Sequence, residues 1–112
     1  MTQKKVRVIE LTVKERAVLP SILPAQGDKL TQIMVRSLNE KTKFTEEEID
    51  DLEMKSDASG IRWNQKKAAD RLFSFEVSDG EALIMRDASK ELDNQKRVNQ
   101  DNLSLVEKID LL

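Results

Sequence analysis

The spacing of apolar residues in this chain changes at Gly60 and changes back at Ser78. Between those points Ile61 and Trp63 alternate with Arg62 and Asn64, and Phe73, Phe75 and Val77 alternate with Ser74 and Glu76. A period of two belongs to strands, whose successive side chains point to opposite faces. On either side the apolar residues recur three or four apart, the spacing of one helix face. The switch predicts a mixed α+β fold: a helix-rich single domain over residues 1–112, with three helices, a β-hairpin, and then further helices. One domain suits 112 residues of which 38% are apolar, enough for a single core.

Helix starts are written plainly. Thr12 stands three residues before Glu15, Thr45 before Glu48, and Ser78 before Glu81. In each case the hydroxyl can accept from the third helical amide while the carboxylate returns to the cap amide. The short run Val6–Leu11 reads as a strand before the first helix, whose Val13, Ala17 and Val18 are expected inside, with Pro20 and Pro24 ending or kinking it. Leu30, Ile33, Met34, Leu38 and Lys41 predict a second helix over 29–41, with Gly27-Asp28 as the turn before it. Phe44 and Ile49 take the two staple positions around the third start. The polar stretch Gln65–Asp70 is expected to join the two strands as a hairpin loop. Trp63, Phe73 and Phe75 would share its buried face. Ile84, Ala88 and Leu92, with Leu83 and Met85 alongside, would line the long helix after Ser78. Leu105, Ile109 and Leu112 mark a short terminal helix.

Strand, three helices and a hairpin is the order of a winged helix-turn-helix domain, with the N-terminal strand available as a third strand. A generic α+β packing of the same elements is an equal alternative.

Several segments resemble a known group of proteins. These are Leu11-Thr12-Val13-Lys14-Glu15-Arg16, Leu23-Pro24 with Gly27, Phe44-Thr45-Glu46-Glu47-Glu48-Ile49, and Trp63. Over about its first two-thirds the chain resembles small uncharacterised proteins carried by tailed phages and prophage-like elements of Bacteroides-type gut bacteria. The resemblance implies a phage setting, in the cytoplasm of a bacterial host cell or on the virion. It brings no activity, cofactor or site residue with it.

The composition removes whole classes of chemistry. The chain has no cysteine and no histidine, so disulfides, thiolate ligands, cysteine nucleophiles, imidazole bases and histidine ligands all drop out. The three glycines stand apart at 27, 60 and 80, which leaves no phosphate-binding loop. Ser89-Lys90 and Lys55-Ser56 are sequence neighbours, and neighbours on a helix do not face each other. Met1 is followed by Lys4, Lys5 and Arg7 around only a few apolar residues, too short for a signal-peptide core. No run approaches the roughly 20 apolar residues of a membrane span. A non-enzyme without cofactor or metal is expected.

Two charged groups are candidate sites. Residues 45–57 hold seven carboxylates against the single cation Lys55. Glu46, Glu47, Asp50, Asp51 and Glu53 are the candidate protein-binding residues, with Glu47, Asp50 and Asp51 outermost if Ile49 and Leu52 face the core. The plain alternative is a solvated face whose first acids favour the helix N-terminus. No Asp-x-Asp-x-Asx-Gly loop accompanies them, which argues against calcium. Lys4, Lys5, Arg7, Arg62, Lys66, Lys67 and Arg71 are the candidate nucleic-acid residues, and would form a basic face opposite the acidic helix if the first strand joins the hairpin. Ordinary solubilising charge on edge strands is the competing reading. An acidic third helix is a poor major-groove reader, because each carboxylate opposes the phosphates. The leading expectation is therefore a phage-type accessory protein acting by protein–protein contact. The alternatives are a winged-helix-like regulator touching nucleic acid, and a virion or assembly component built on the charge asymmetry.

Overall fold

The computed structural model describes residues 7–112. Strand β1 (Arg7–Leu11) leads into α1 (Val13–Ile22), α2 (Lys29–Thr42) and α3 (Glu46–Asp51). A hairpin follows, β2 (Lys55–Asp57) and β3 (Gly60–Arg62), and then a one-turn helix α4 (Gln65–Ala68). Strand β4 (Phe73–Val77), the long α5 (Asp79–Asn94) and α6 (Leu103–Asp110) complete the chain. The α+β class and the sequence of three helices, hairpin and later helices are as expected.

Strand pairing differs from expectation. Phe73–Val77 does not pair with the strand after Gly60; it pairs antiparallel with β1, Ile9 opposite Phe75 and Leu11 opposite Phe73. The hairpin forms earlier, with Lys55 opposite Arg62 and Ser56 opposite Ile61. Turn chemistry explains the choice. The Asp57 carboxylate accepts from the Ser59 amide at 2.8 Å, and Gly60 sits at φ 117, a conformation that glycine adopts without steric cost. A connection of two residues, Ala58-Ser59, closes more readily than the longer stretch from Asn64 to Leu72. That longer stretch is no hairpin loop: Asn64 caps it into α4 by accepting from the Lys66 and Lys67 amides. The two strand pairs form separate sheets, so the described residues contain no three-stranded winged sheet.

One core lies between the β1–β4 ribbon and the helices. It gathers Ile9 and Leu11, Leu19 and Ile22, Val35 and Leu38, Met85 and Leu92, and Leu105 and Ile109. All three predicted capping boxes are formed. Pro20 lies inside α1, which continues to Ile22. The inward faces are rotated from those expected. In α1, Glu15, Arg16 and Leu19 are buried with Val13, while Ala17 and Val18 are half-buried. In α2, Val35, Leu38 and Thr42 point inward, and Leu30 and Ile33 stay exposed. In α5, Ala82, Met85, Ser89 and Leu92 point inward, and Leu83 is exposed.

Candidate functional site

The acidic helix α3 is placed by one buried side chain. Arg16, on α1, has only 2% of its side chain exposed. Its Nη1 donates to Glu48 Oε2 at 2.7 Å and its Nη2 to Glu48 Oε1 at 3.1 Å, a bidentate pair. Its Nε donates to the Thr42 carbonyl at 3.1 Å and Nη2 to the Lys43 carbonyl at 2.9 Å. Those carbonyls belong to the end of α2, where intrahelical donors run out. The guanidinium also lies 4.1 Å from the Phe44 ring centroid, 4.5 Å from Phe73 and 5.1 Å from Phe75, within cation–π range. Thus α1, the end of α2, the start of α3 and β4 meet on one planar cation, whose fixed fork suits such a junction. Phe73 and Phe75 are gathered here as expected, but their third aromatic is Phe44; Trp63 stands half-buried between β3 and α4. A lone Arg16 on an apolar helix carried no signal of this in the sequence.

Four of the seven carboxylates are neutralised locally. Glu48 is held by Arg16, and the hydrogen bonds from that guanidinium keep its carboxyl below the usual range. Asp51 pairs with Arg71 at 2.6 Å. Glu53 lies 3.9 Å from Lys67 and accepts from Asn64 Nδ2 at 2.5 Å. Asp57 pairs with Arg62 at 3.3 Å. Among the described residues no basic face therefore stands opposite the acidic helix. Arg62, Lys67 and Arg71 sit beside the acids and pair with them, because the hairpin folds back next to α3. Arg7 is elsewhere, donating to Asp79 at 3.0 Å and to the Leu112 carbonyl at 2.6 Å. Lys66 is exposed on α4, and Lys4 and Lys5 lie outside the described residues.

Glu46, Glu47 and Asp50 remain exposed, with no ion pair among the described residues. On the Ile49 side of α3 opens a cleft of about 280 Å³ lined by Phe44, Ile49, Met54, Lys55, Ser56 and Ile61. Local geometry builds it. The Met54 amide donates to the Ile49 carbonyl at 2.9 Å and the Glu53 amide to Asp50 at 3.2 Å, with Glu53 at φ 54. That is a Schellman termination, which brings the side chains on either side of the turn together. Ile49, expected in the core, is displaced to this outer cleft; Leu52 alone of the pair is buried. The turn residues Asp57-Ala58-Ser59-Gly60 were the readable sign that Ile61 would return to Ile49.

The arrangement presents an apolar hollow with Lys55 and Ser56 in its lining and the Asp50 carboxylate in the groove next to it. Among the described residues no group of histidine, cysteine or acidic side chains is arranged to hold a metal ion, and no helix is long and apolar enough to cross a membrane. Comparison with protein-family models, characterised proteins and solved structures gives no match.

Proposed function

We propose that the protein is a non-catalytic accessory protein that works by protein–protein contact through the outer face of α3 and the cleft beside it. The observation that carries this reading is the company two of the unpaired acids keep. Glu46 is three residues from Ile49 on the same helix face and Asp50 lines a groove with Ile49 and Met54, while Ile49 and Met54 also line an apolar hollow with Phe44, Ile61 and the cation Lys55. An apolar centre with a charged rim is the anatomy of a docking surface, and the charge sets partner choice and encounter rate. The resemblance to phage and prophage proteins supplies the setting, a bacterial host cell or the virion. Nucleic-acid contact is the weaker reading, since Arg62, Lys67 and Arg71 are engaged with neighbouring carboxylates and would have to leave them to meet phosphates.

The test is a matched capture experiment. Glu46→Lys, Glu47→Lys and Asp50→Lys together leave the fold intact, at a cost of under about 0.5 kcal/mol each for exposed positions, plus a small penalty for cations near a helix start. Wild-type bait retrieves a partner from lysate, and the folded triple variant loses it. A triple variant that captures the same proteins as wild type reduces the acids to a solvated face and ends this reading.

A further inference from the structure

A strand edge exposes backbone donors and acceptors that must find a partner or water, and the four strands differ in what meets theirs. At β4 the Glu76 carbonyl accepts from the Lys41 ammonium at 2.8 Å. Strand β1 has α1 and α6 packed against it. Beside β2 the Met54 amide is already taken by the Ile49 carbonyl at 2.9 Å. Strand β3 has β2 as its one closely packed neighbour, and its far edge is open.

The turn fixes which groups lie on that edge. A connection of two residues makes Asp57 and Gly60 the closing, hydrogen-bonded pair. Bonded and non-bonded pairs alternate along an antiparallel ladder, so Lys55 and Arg62 also bond across it, while Ser56 and Ile61 turn their backbone groups outward. Asn64 keeps the same phase, because its amide points back to the Leu52 carbonyl at 2.8 Å. Ile61 and Trp63 therefore direct both N–H and C=O away from β2. Neither finds a backbone partner elsewhere among the described residues. Two residues apart, their side chains share one face, and it is the face that carries the cleft beside α3. Ile61, 48% exposed, lines the apolar hollow, and half-buried Trp63 lines the groove next to it.

We propose that the β3 edge binds an extended segment of a partner protein, which joins the hairpin as a third, antiparallel strand. Outward N–H and C=O groups on two residues about 7 Å apart are matched by another extended backbone. A helix cannot match them, since it uses its own N–H and C=O groups internally. The two residues of the segment that bond to Ile61 and Trp63 place their side chains on the cleft face. Apolar residues there cover the Ile61 side chain and the Trp63 ring. The residue between them stands opposite Arg62. Charge around the edge is nearly balanced, with Lys55, Arg62, Lys66 and Lys67 among Asp50, Glu53 and Asp57, so the backbone and not net charge selects the occupant. A second copy is disfavoured here, because β3 paired with β3 through both outward residues sets Arg62 directly against Arg62. This edge belongs to the docking surface proposed above, and strand addition rests on that reading.

The probe is a synthetic peptide with Val-Thr-Val at its centre, serines on either side and both ends blocked, titrated into the full-length chain. Trp63 is the single tryptophan, so its emission follows binding, and amide exchange by NMR reports the backbone. In the free protein the Ile61 and Trp63 amides should exchange faster than the Arg62 amide, which bonds to β2. Saturating peptide should protect both. N-methylation of the two valines, whose N–H groups face β3, should weaken binding about tenfold or more, the loss of two hydrogen bonds. N-methylation of the threonine, whose N–H faces away, should leave binding unchanged. Ile61→Pro removes one outward N–H and spares the bonds to β2; it should abolish binding, and Ile61→Val should retain it. Should the proline variant misfold, the methylated peptides test the same contact on the wild-type chain. A peptide that leaves Ile61 and Trp63 unprotected, or that binds equally well with both valines methylated, overturns the proposal. A wild-type chain that is dimeric, with both amides protected before peptide is added, gives the edge to a second copy and overturns it too. If the capture experiment succeeds while the β3 edge stays unprotected, docking on α3 stands and strand addition alone falls.

Discussion

Each N3 glutamate of the three capping boxes does two jobs at once. Glu15 accepts from its own cap amide at 2.8 Å and from Lys108 at 2.6 Å. Glu48 accepts from Thr45 at 2.9 Å and from Arg16. Glu81 accepts from Ser78 at 2.8 Å, Lys41 at 2.7 Å and Ser37 at 2.8 Å. The residue that starts a helix thus also ties it to another. All three carboxyls are held below the usual glutamate range. For Glu15 and Glu81 burial pushes upward, and the lysine bonds with the cap amides outweigh it; for Glu48 the Arg16 bonds dominate. A carboxylate with a depressed folded value stabilises the fold above its unfolded value of about 4.3 and loses that contribution as pH falls through the folded value. Denaturant midpoints should therefore drop as pH is lowered below about 4.3, and Glu81→Gln should flatten that drop. An unchanged acid slope would show that the pair contributes nothing. Arg16→Lys keeps the charge but cannot reproduce the fork or the stacking. It should cost about 2–3 kcal/mol, near the range for breaking a buried pair. A denaturation curve matching wild type would mean the junction is held by its rings alone.

At the scale of elements, helix ends decide the architecture more than helix interiors do. Both α3 and α5 end in a left-handed residue that is not glycine, Glu53 at φ 54 and Lys96 at φ 57. After α5 the Arg97 amide donates to the Leu92 carbonyl at 2.8 Å and the Lys96 amide to Asp93 at 3.1 Å, the Schellman pattern that normally uses glycine. Lys96 is exposed and has no ion pair among the described residues. Lys96→Gly should raise stability by about 0.5–1 kcal/mol, relief of the left-handed strain exceeding the entropy that glycine loses. Calorimetry reads this directly, and a lowered melting temperature would show the strain to be negligible. The strands follow the same logic: β2 and β3 pair because their turn is short, not because their side chains bury anything.

In the whole molecule, residues 53–72 contain no fully buried side chain. The hairpin and α4 form an arm fixed to the body at its two ends, by Leu52 and Arg16 at one and by β4 at the other. The radius of gyration is 14.6 Å, against roughly 13 Å for a compact 100-residue domain. Local stability follows buried contact. Amides paired across β2 and β3 should exchange with solvent far faster than those of Met85 or Leu105 in the core. Equal protection in native-state hydrogen exchange would make arm and body one cooperative unit. An arm that opens by itself is suited to fit a partner, and it supplies Met54, Lys55, Ser56 and Ile61 of the cleft beside α3.

The helix starts, the two strands with period-two spacing and the terminal helix were legible in the sequence, because caps and periodicity are local and a few neighbouring residues specify them. The excluded chemistry was legible too, since a missing residue type is missing in every fold. Which strand pairs with which was decided only by the tertiary structure: the alternation in Phe73–Val77 says that one face is buried, not whether β1 or β3 lies beside it. Helix faces were rotated for the same reason. Leu30 and Ile33 have the spacing of a core stripe, but α2 buries whatever side its neighbours cover, and α5 and the ribbon cover Val35 and Leu38. The candidate site divided in the same way. Seven acids in one segment are visible to any reader of the sequence. Which three stay unpaired depends on Arg16 and Arg71, brought to Glu48 and Asp51 from 32 and 20 residues away, a long-range event that no local spacing encodes; only the Asp57–Arg62 pair lies across a readable turn.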